Sequence, residues 1–183
     1  MKKYKISKYD YSSNYTEDWI SMWDIGREYN GKILTYSDYI LTESKYIELI
    51  SLYIRECCTE YLKIKYLEKS NGRIRANVGK WHYKTGLNID KEELAILLSL
   101  KEEDVLPLEK LLIVAKYVLR EYLWCRFVGK NYAIEFGYDY YIYFICKELS
   151  PLIVEKINEL GLFINSVTEY CDEIEINKIF DED

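Results

Sequence analysis

The chain has 183 residues, 49% of them hydrophobic, enough to bury the core of one domain and too apolar for intrinsic disorder. Its net charge of −6 and pI of about 5.1 argue against general binding to nucleic acid, which depends on neutralising phosphates. They suit a cytosolic protein, or one whose partner is basic.

From the N-terminus, Lys3 to Ile6 reads as a short edge strand. Ser7 to Asn30 is polar and aromatic, and its tryptophans Trp19 and Trp23 imply that it is pinned to the body. Asp24-Ile25-Gly26 and Asn30-Gly31 are turn signals. Thr35 or Ser37 can cap a helix running to about Glu56, with Ile40, Ile47 and Ile54 seven apart and Tyr39, Tyr46, Ile50 and Tyr53 beside them. Its polar face is mixed in sign, so it predicts packing on a sheet rather than on a membrane.

Tyr61 to Leu67 alternates Leu62, Ile64 and Tyr66 with Lys63 and Lys65, the pattern of a half-buried strand. Asn71-Gly72 reads as its turn, and Ile74 to Tyr83 as the returning strand. Between Tyr61 and Lys84 seven Lys and Arg residues face one acid, Glu68. Such a run is either a solvated hairpin or a basic contact surface. Asp90 with Glu93 forms a capping box for a short helix to about Leu100. Pro107 opens or interrupts the next helix, Leu108 to Arg120. Ser150-Pro151 starts another, and Gly161 stops it. Phe163 to Tyr170 reads as a last strand, and the acidic end from Asp172 is expected to fray after Phe180.

Leu123 to Cys146 reads as a three-stranded meander. A two-residue turn at Gly129-Lys130 sets Phe127 opposite Tyr132 and Cys125 opposite Ile134. A three-residue loop at 137–139 sets Tyr140 opposite Phe136 and Phe144 opposite Tyr132. One face is then apolar. The other carries Trp124, Arg126, Glu135, Tyr141 and Tyr143. That face suits either a partner or a second covering layer.

Chemistry-bearing motifs are sparse. The one histidine, His82, lies on a predicted strand, where a structural role is the commoner one. No phosphate-cradling glycine loop and no G-x-S-x-G occurs. Cys57, Cys58, Cys125, Cys146 and Cys171 are odd in number, lack a CxxC pair and read as reduced apolar filler. Asp172, Glu173 and Glu175 could hold a cation, though a terminal acidic run is more often solvated. No cofactor or metal is predicted and no enzyme is expected. No signal peptide precedes the first charged residues, and no apolar run reaches 18 residues, so a cytoplasmic protein away from membranes is expected.

Two stretches carry a family resemblance. Tyr9-Asp10, Trp19, Asp24-Ile25-Gly26 and Gly31-Lys32 are similar to the Y-D…W…D-I-G…G-K pattern of bacterial immunity proteins. Trp124-Cys125 and the run Phe136-Gly137-Tyr138-Asp139-Tyr140-Tyr141-Ile142-Tyr143 resemble that family's W-C…F-G-Y-D-Y-Y-x-Y signature. The basic segment from Lys63 to Lys84 has no counterpart in this pattern. The resemblance is to immunity proteins of contact-dependent growth inhibition and polymorphic-toxin systems. It implies a cytoplasmic chain, monomeric before binding, that neutralises the C-terminal domain of one cognate toxin. Such toxins are often nucleases, whose basic active sites an acidic inhibitor can occlude. Trp124, Glu135, Tyr141 and Tyr143 are then the expected toxin-binding surface, with Asp139 at its rim. The competing expectation makes the signature core and turn. A different class of function, nucleic-acid binding or regulation, would use the basic 61–84 segment. The fold expected is α+β over residues 1–183 as one domain, with an antiparallel sheet of about five or six strands and three or four helices packed on it.

Overall fold

The computed structural model describes residues 1–11, 18–57 and 61–169. In chain order it places β1 (Lys2–Ser7), a 3-10 turn (Met22–Asp24), the short pair β2 (Glu28–Tyr29) and β3 (Lys32–Ile33), then α1 (Tyr36–Glu56) and β4 (Tyr61–Glu68). There follow α2 (Asn71–Thr85), α3 (Lys91–Ser99), β5 (Val105–Pro107), α4 (Leu108–Leu119), β6 (Trp124–Val128), β7 (Ala133–Phe136), β8 (Tyr141–Cys146), α5 (Pro151–Glu159) and β9 (Phe163–Glu169).

Helix starts fall where short polar side chains can take up the free backbone N–H groups. The Thr35 hydroxyl accepts from Asp38 N–H at 3.1 Å, and the Asp38 carboxylate accepts from Thr35 N–H at 3.2 Å. Asp90 accepts from the Glu92 and Glu93 amides, and Ser150 from Ile153. Glu93 does not complete the expected box. Its carboxylate instead takes the Tyr117 hydroxyl at 2.6 Å and pairs with Lys116, tying α3 to α4. Asn30 and Gly31, at φ 51° and 77°, make the turn between β2 and β3.

The fold is α+β: a seven-stranded antiparallel sheet in the order β5-β4-β6-β7-β8-β1-β9, with a separate β2-β3 hairpin. The sheet exceeds the expected five or six strands because β5, three residues long, adds to the β4 edge. β1 is not the expected edge strand. It lies between β8 and β9, pairing Lys3 with Ile145 on one side and Thr168 on the other.

All five helices contribute to one core, on one face of the sheet. Tyr53 of α1 stacks on Phe144 at 3.8 Å between centroids. The Tyr46 hydroxyl accepts from Lys8 N–H at 2.7 Å and donates to Tyr140 O at 2.8 Å. Glu43 of α1 holds Arg120, just past α4, in two hydrogen bonds of 2.7 Å, with the guanidinium 4.2 Å from the Trp81 ring. Both residues are buried, and the paired geometry compensates their desolvation.

The segment read as a returning strand, Ile74 to Tyr83, lies within helix α2, which Ser70 caps. Its buried stripe is Ile74, Asn77 and Trp81, the period of a helix. The middle position is polar: the Asn77 side-chain amide donates to Glu121 O, and the Asn77 backbone carbonyl accepts from the Tyr122 hydroxyl.

The meander forms with both connections longer than expected. Phe127 faces Ile134, and Phe136 faces Ile142. Gly129 N–H bonds Tyr132 O at 2.9 Å, and Gly137 N–H bonds Tyr141 O at 2.9 Å. Each register slips by two residues, so the faces keep their expected side chains. Two rings account for the extra length. Tyr132 lies against Gly129, where a Cβ would stand 2.6 Å from it, and packs edge-on to Tyr53. Tyr140, at φ 55°, swings its ring into the core among Trp19, Tyr39 and Tyr46.

Candidate functional site

The second face of the sheet carries the signature's outward residues. Strand pairing arranges its side chains in rows across the strands. One row runs Lys3, Ile145, Ala133, Val128, Lys63. The next runs Lys5, Tyr143, Glu135, Arg126, Lys65. Beyond the last ladder pairs, Tyr141 and Trp124 flank Gly137. No described helix packs on these rows.

Glu135 is at the centre and is 6% exposed. It pairs with Lys3 from β1 and with Arg126 Nη2 from β6 at 2.5 Å. The Lys3 ammonium stands 4.1 Å from the Tyr143 ring centroid, and that of Lys5 4.0 Å from Tyr141. Arg126 lies 4.7 Å from Tyr66. Tyr141 and Tyr143 meet edge to face at 5.2 Å. These contacts hold the rings in place with their cations above them. Burial and the neighbouring Tyr141 hydroxyl push the Tyr143 phenol up to about 12.

Gly137 makes room for this arrangement. A Cβ there would sit 1.9 Å from the Tyr141 ring. Trp124 turns toward the end of the sheet, donating its indole N–H to Phe136 O at 2.8 Å. There it lines a small cavity of about 130 Å³ with Glu68, Arg73, Glu121 and Tyr138.

Glu135, Tyr141 and Tyr143 therefore share one face, whereas Trp124 packs against the helix-side core and meets Arg73 of α2 and Val118 of α4 at the cavity. Asp139 is exposed at the tip of the β7–β8 loop. The signature divides in two: Phe136 and Tyr140 are core, whereas Tyr141 and Tyr143 face outward. The sign of the patch differs from expectation. Lys3, Lys5, Lys63, Lys65 and Arg126 outnumber the carboxylates that meet them, Glu135 and Glu103. Glu135, already held by two cations, is not a free anchor for a partner's lysine or arginine. Sequence reading missed Lys3 and Lys5. Their alternation with Tyr4 and Ile6 was the available signal, but it does not reveal that β1 lies beside β8.

The basic segment is also resolved. Lys63 and Lys65 pair with Glu103. Lys69 donates to the Leu97 and Leu98 carbonyls at the end of α3. Lys84 donates to the Trp23 and Ile25 carbonyls. Arg73, Arg75 and Lys80 remain as exposed cations of α2, where His82 is exposed as well. Asp172, Glu173 and Glu175, Cys58 and Cys171, and the fraying expected after Phe180 lie outside the described residues. Among those described, no group of three or more His, Cys, Asp and Glu is placed to hold a metal ion, and no helix is long and apolar enough to cross a membrane.

No protein-family model, curated protein or solved structure matches this chain.

Proposed function

We propose that the chain is a binding protein of the immunity type, which neutralises a cognate toxin domain by occluding it and turns the second face of its sheet toward that partner. The single observation that carries this reading is that Glu135, Tyr141 and Tyr143 stand together on a face that no described helix covers, with Trp124 at its end beside Arg73 of α2. Their rings are already fixed by Lys3, Lys5 and one another, so little side-chain freedom remains to be lost on contact. The partner's class, a nuclease, comes from the resemblance. The action is steric and makes no covalent bond.

Co-expression with the protein encoded immediately upstream tests this. The two should co-purify, and Tyr141→Ala or Tyr143→Ala should each weaken the complex by about tenfold or more. Tyr83→Ala, on α2 and 89% exposed, should leave it unchanged. Failure to co-purify, or sensitivity to Tyr83 in place of Tyr141 and Tyr143, would overturn the assignment.

A second reading has one observation in its favour. Arg73, Arg75 and Lys80 project from a helix with no acidic residue between Asn71 and Thr85. If they bind nucleic acid, affinity should fall with salt with a log–log slope of about −2 to −3. Arg73→Ala with Arg75→Ala should remove most of that slope.

A further inference from the structure

Opposite charges line the small cavity at the end of the sheet without meeting one another. Glu68 reaches it from the end of β4, Arg73 from the first turn of α2, and Glu121 from just past α4. Among the described residues, neither the Glu68 carboxylate nor the Arg73 guanidinium has a hydrogen bond or an ion pair. Glu121 uses one oxygen, Oε2, which accepts from the Trp23 indole at 2.9 Å. That bond holds the side chain in place and leaves Oε1 to accept from another donor. Charges of opposite sign brought this near in a fold ordinarily pair, and here a space of about 130 Å³ stands among them.

The backbone adds to the case. Glu121 is the left-handed stop of α4, at φ 59°, closed by Tyr122 N–H to Tyr117 O at 2.9 Å. Glycine suits that position, and a glutamate is strained in it. The strain is offset by what the carboxylate does, and the Trp23 bond occupies only one of its two oxygens.

The walls are part apolar. Trp124 is fixed by its indole bond to Phe136 O, and among the described residues no ring or cation stands over it. Val118 and Leu123, each 5% exposed, form the dry inner wall, and the exposed Tyr138 lies at the rim. The space suits roughly five to seven non-hydrogen atoms, by comparison with the cavity of about 150 Å³ that takes benzene. A ligand that answers all three charges carries one anionic and one cationic group a few bonds apart, with a small apolar remainder.

We propose that this cavity binds a small zwitterion, an α-amino acid of the size of glycine, alanine or serine. The ligand carboxylate meets the two-pronged guanidinium of Arg73. Its ammonium, with three N–H donors, bonds both Glu121 and Glu68. Its Cα and side chain lie against Trp124 and Leu123. A simple cation would leave Arg73 beside it as a like charge, and a simple anion would meet two carboxylates. The site uses neither Tyr141 nor Tyr143, so it stands or falls apart from the toxin reading.

Isothermal titration calorimetry of the full chain with glycine, L-alanine and L-serine tests this. Acetate and methylammonium serve as probes bearing one charge each. At least one amino acid should bind saturably at millimolar concentration or below. Both one-charge probes should bind about tenfold more weakly or worse, the loss expected for a missing bond between charged groups. Arg73→Gln and Glu68→Gln each remove one charge from an exposed side chain. Each should weaken binding by about tenfold with thermal denaturation unchanged. If none of the three amino acids gives saturable heat, the cavity holds water alone and the proposal is overturned. Methylammonium binding as tightly as the amino acids, or binding indifferent to Arg73→Gln, would overturn it as well.

Discussion

Raising the pH above 10 should unfold the protein through its buried tyrosines before those rings ionise in the folded state. Tyr39, Tyr46, Tyr53 and Tyr140 are buried in the core, and loss of water around them holds each phenol above its ordinary value of 10. Above pH 10 the unfolded chain releases these protons and the folded chain keeps them. The folded state then binds more protons, so the stability these groups contribute is intact below pH 10 and is lost as the pH rises. At pH 11, one unit above the unfolded value, the four phenols together favour the unfolded chain by roughly 5 kcal/mol. That is comparable to the whole stability of a typical domain, about 5–15 kcal/mol. Lys8 acts in the opposite sense over a lower window. Burial lowers its ammonium to about 8 despite Asp18 at 2.6 Å. Between pH 8 and 10.5 the unfolded chain therefore holds more protons at this site, and its contribution to stability rises with pH. Stability should climb gently above pH 8 and collapse above 10. Urea midpoints across this range, with phenolate absorbance and far-ultraviolet circular dichroism followed together, give the profile. If the four core rings ionise near pH 10 with the helix signal intact, the burial argument is wrong.

Removing one partner of the Glu43–Arg120 pair should be costly. Glu43→Ala leaves a guanidinium that is 7% exposed without its carboxylate, for a loss of about 3–5 kcal/mol in urea denaturation. The double change Glu43→Leu with Arg120→Leu should recover more than half, and no recovery would mean that packing, not charge, sets the cost. Glu135→Ala should cost less, about 1–2 kcal/mol, because the Lys3 and Arg126 side chains keep 24% and 17% of their exposure and can rehydrate. A loss above 4 kcal/mol by thermal denaturation would contradict this. Gly137→Ala drives a methyl group into the Tyr141 ring and should cost about 1–3 kcal/mol. It should also weaken partner binding by about tenfold, and unchanged binding in a pull-down would detach Tyr141 from the contact.

Local periodicity made much of this fold readable. The caps at Thr35, Asp90 and Ser150 give helix starts, and alternation in 123–146 sorts core residues from outward ones even though both loop lengths differ by two. Parity survives an even slip, which is why the faces were right and the partners were not. α2 was misread because Asn77 sits where its stripe should be apolar, and because Asn71-Gly72, a strong turn pair, is here the first turn of a helix. The charge of the candidate site was illegible for a different reason. It depends on β1 lying against β8, a pairing between distant stretches that no local pattern encodes. Composition misled as well, since a net charge averages a nearly balanced body with an acidic terminal stretch.

The interior place of β1 has a consequence in time. Both of its ladders must be supplied by β8 and β9, roughly 140 residues further along. At a synthesis rate of about 5–20 residues per second, Lys2–Ser7 waits roughly 7–28 s for its first neighbour. The strands β4 to β7 can assemble meanwhile, so a stretch made before them is inserted after them. A ribosome stalled before residue 141 would leave that strand's backbone unmatched, a ready target for chaperones.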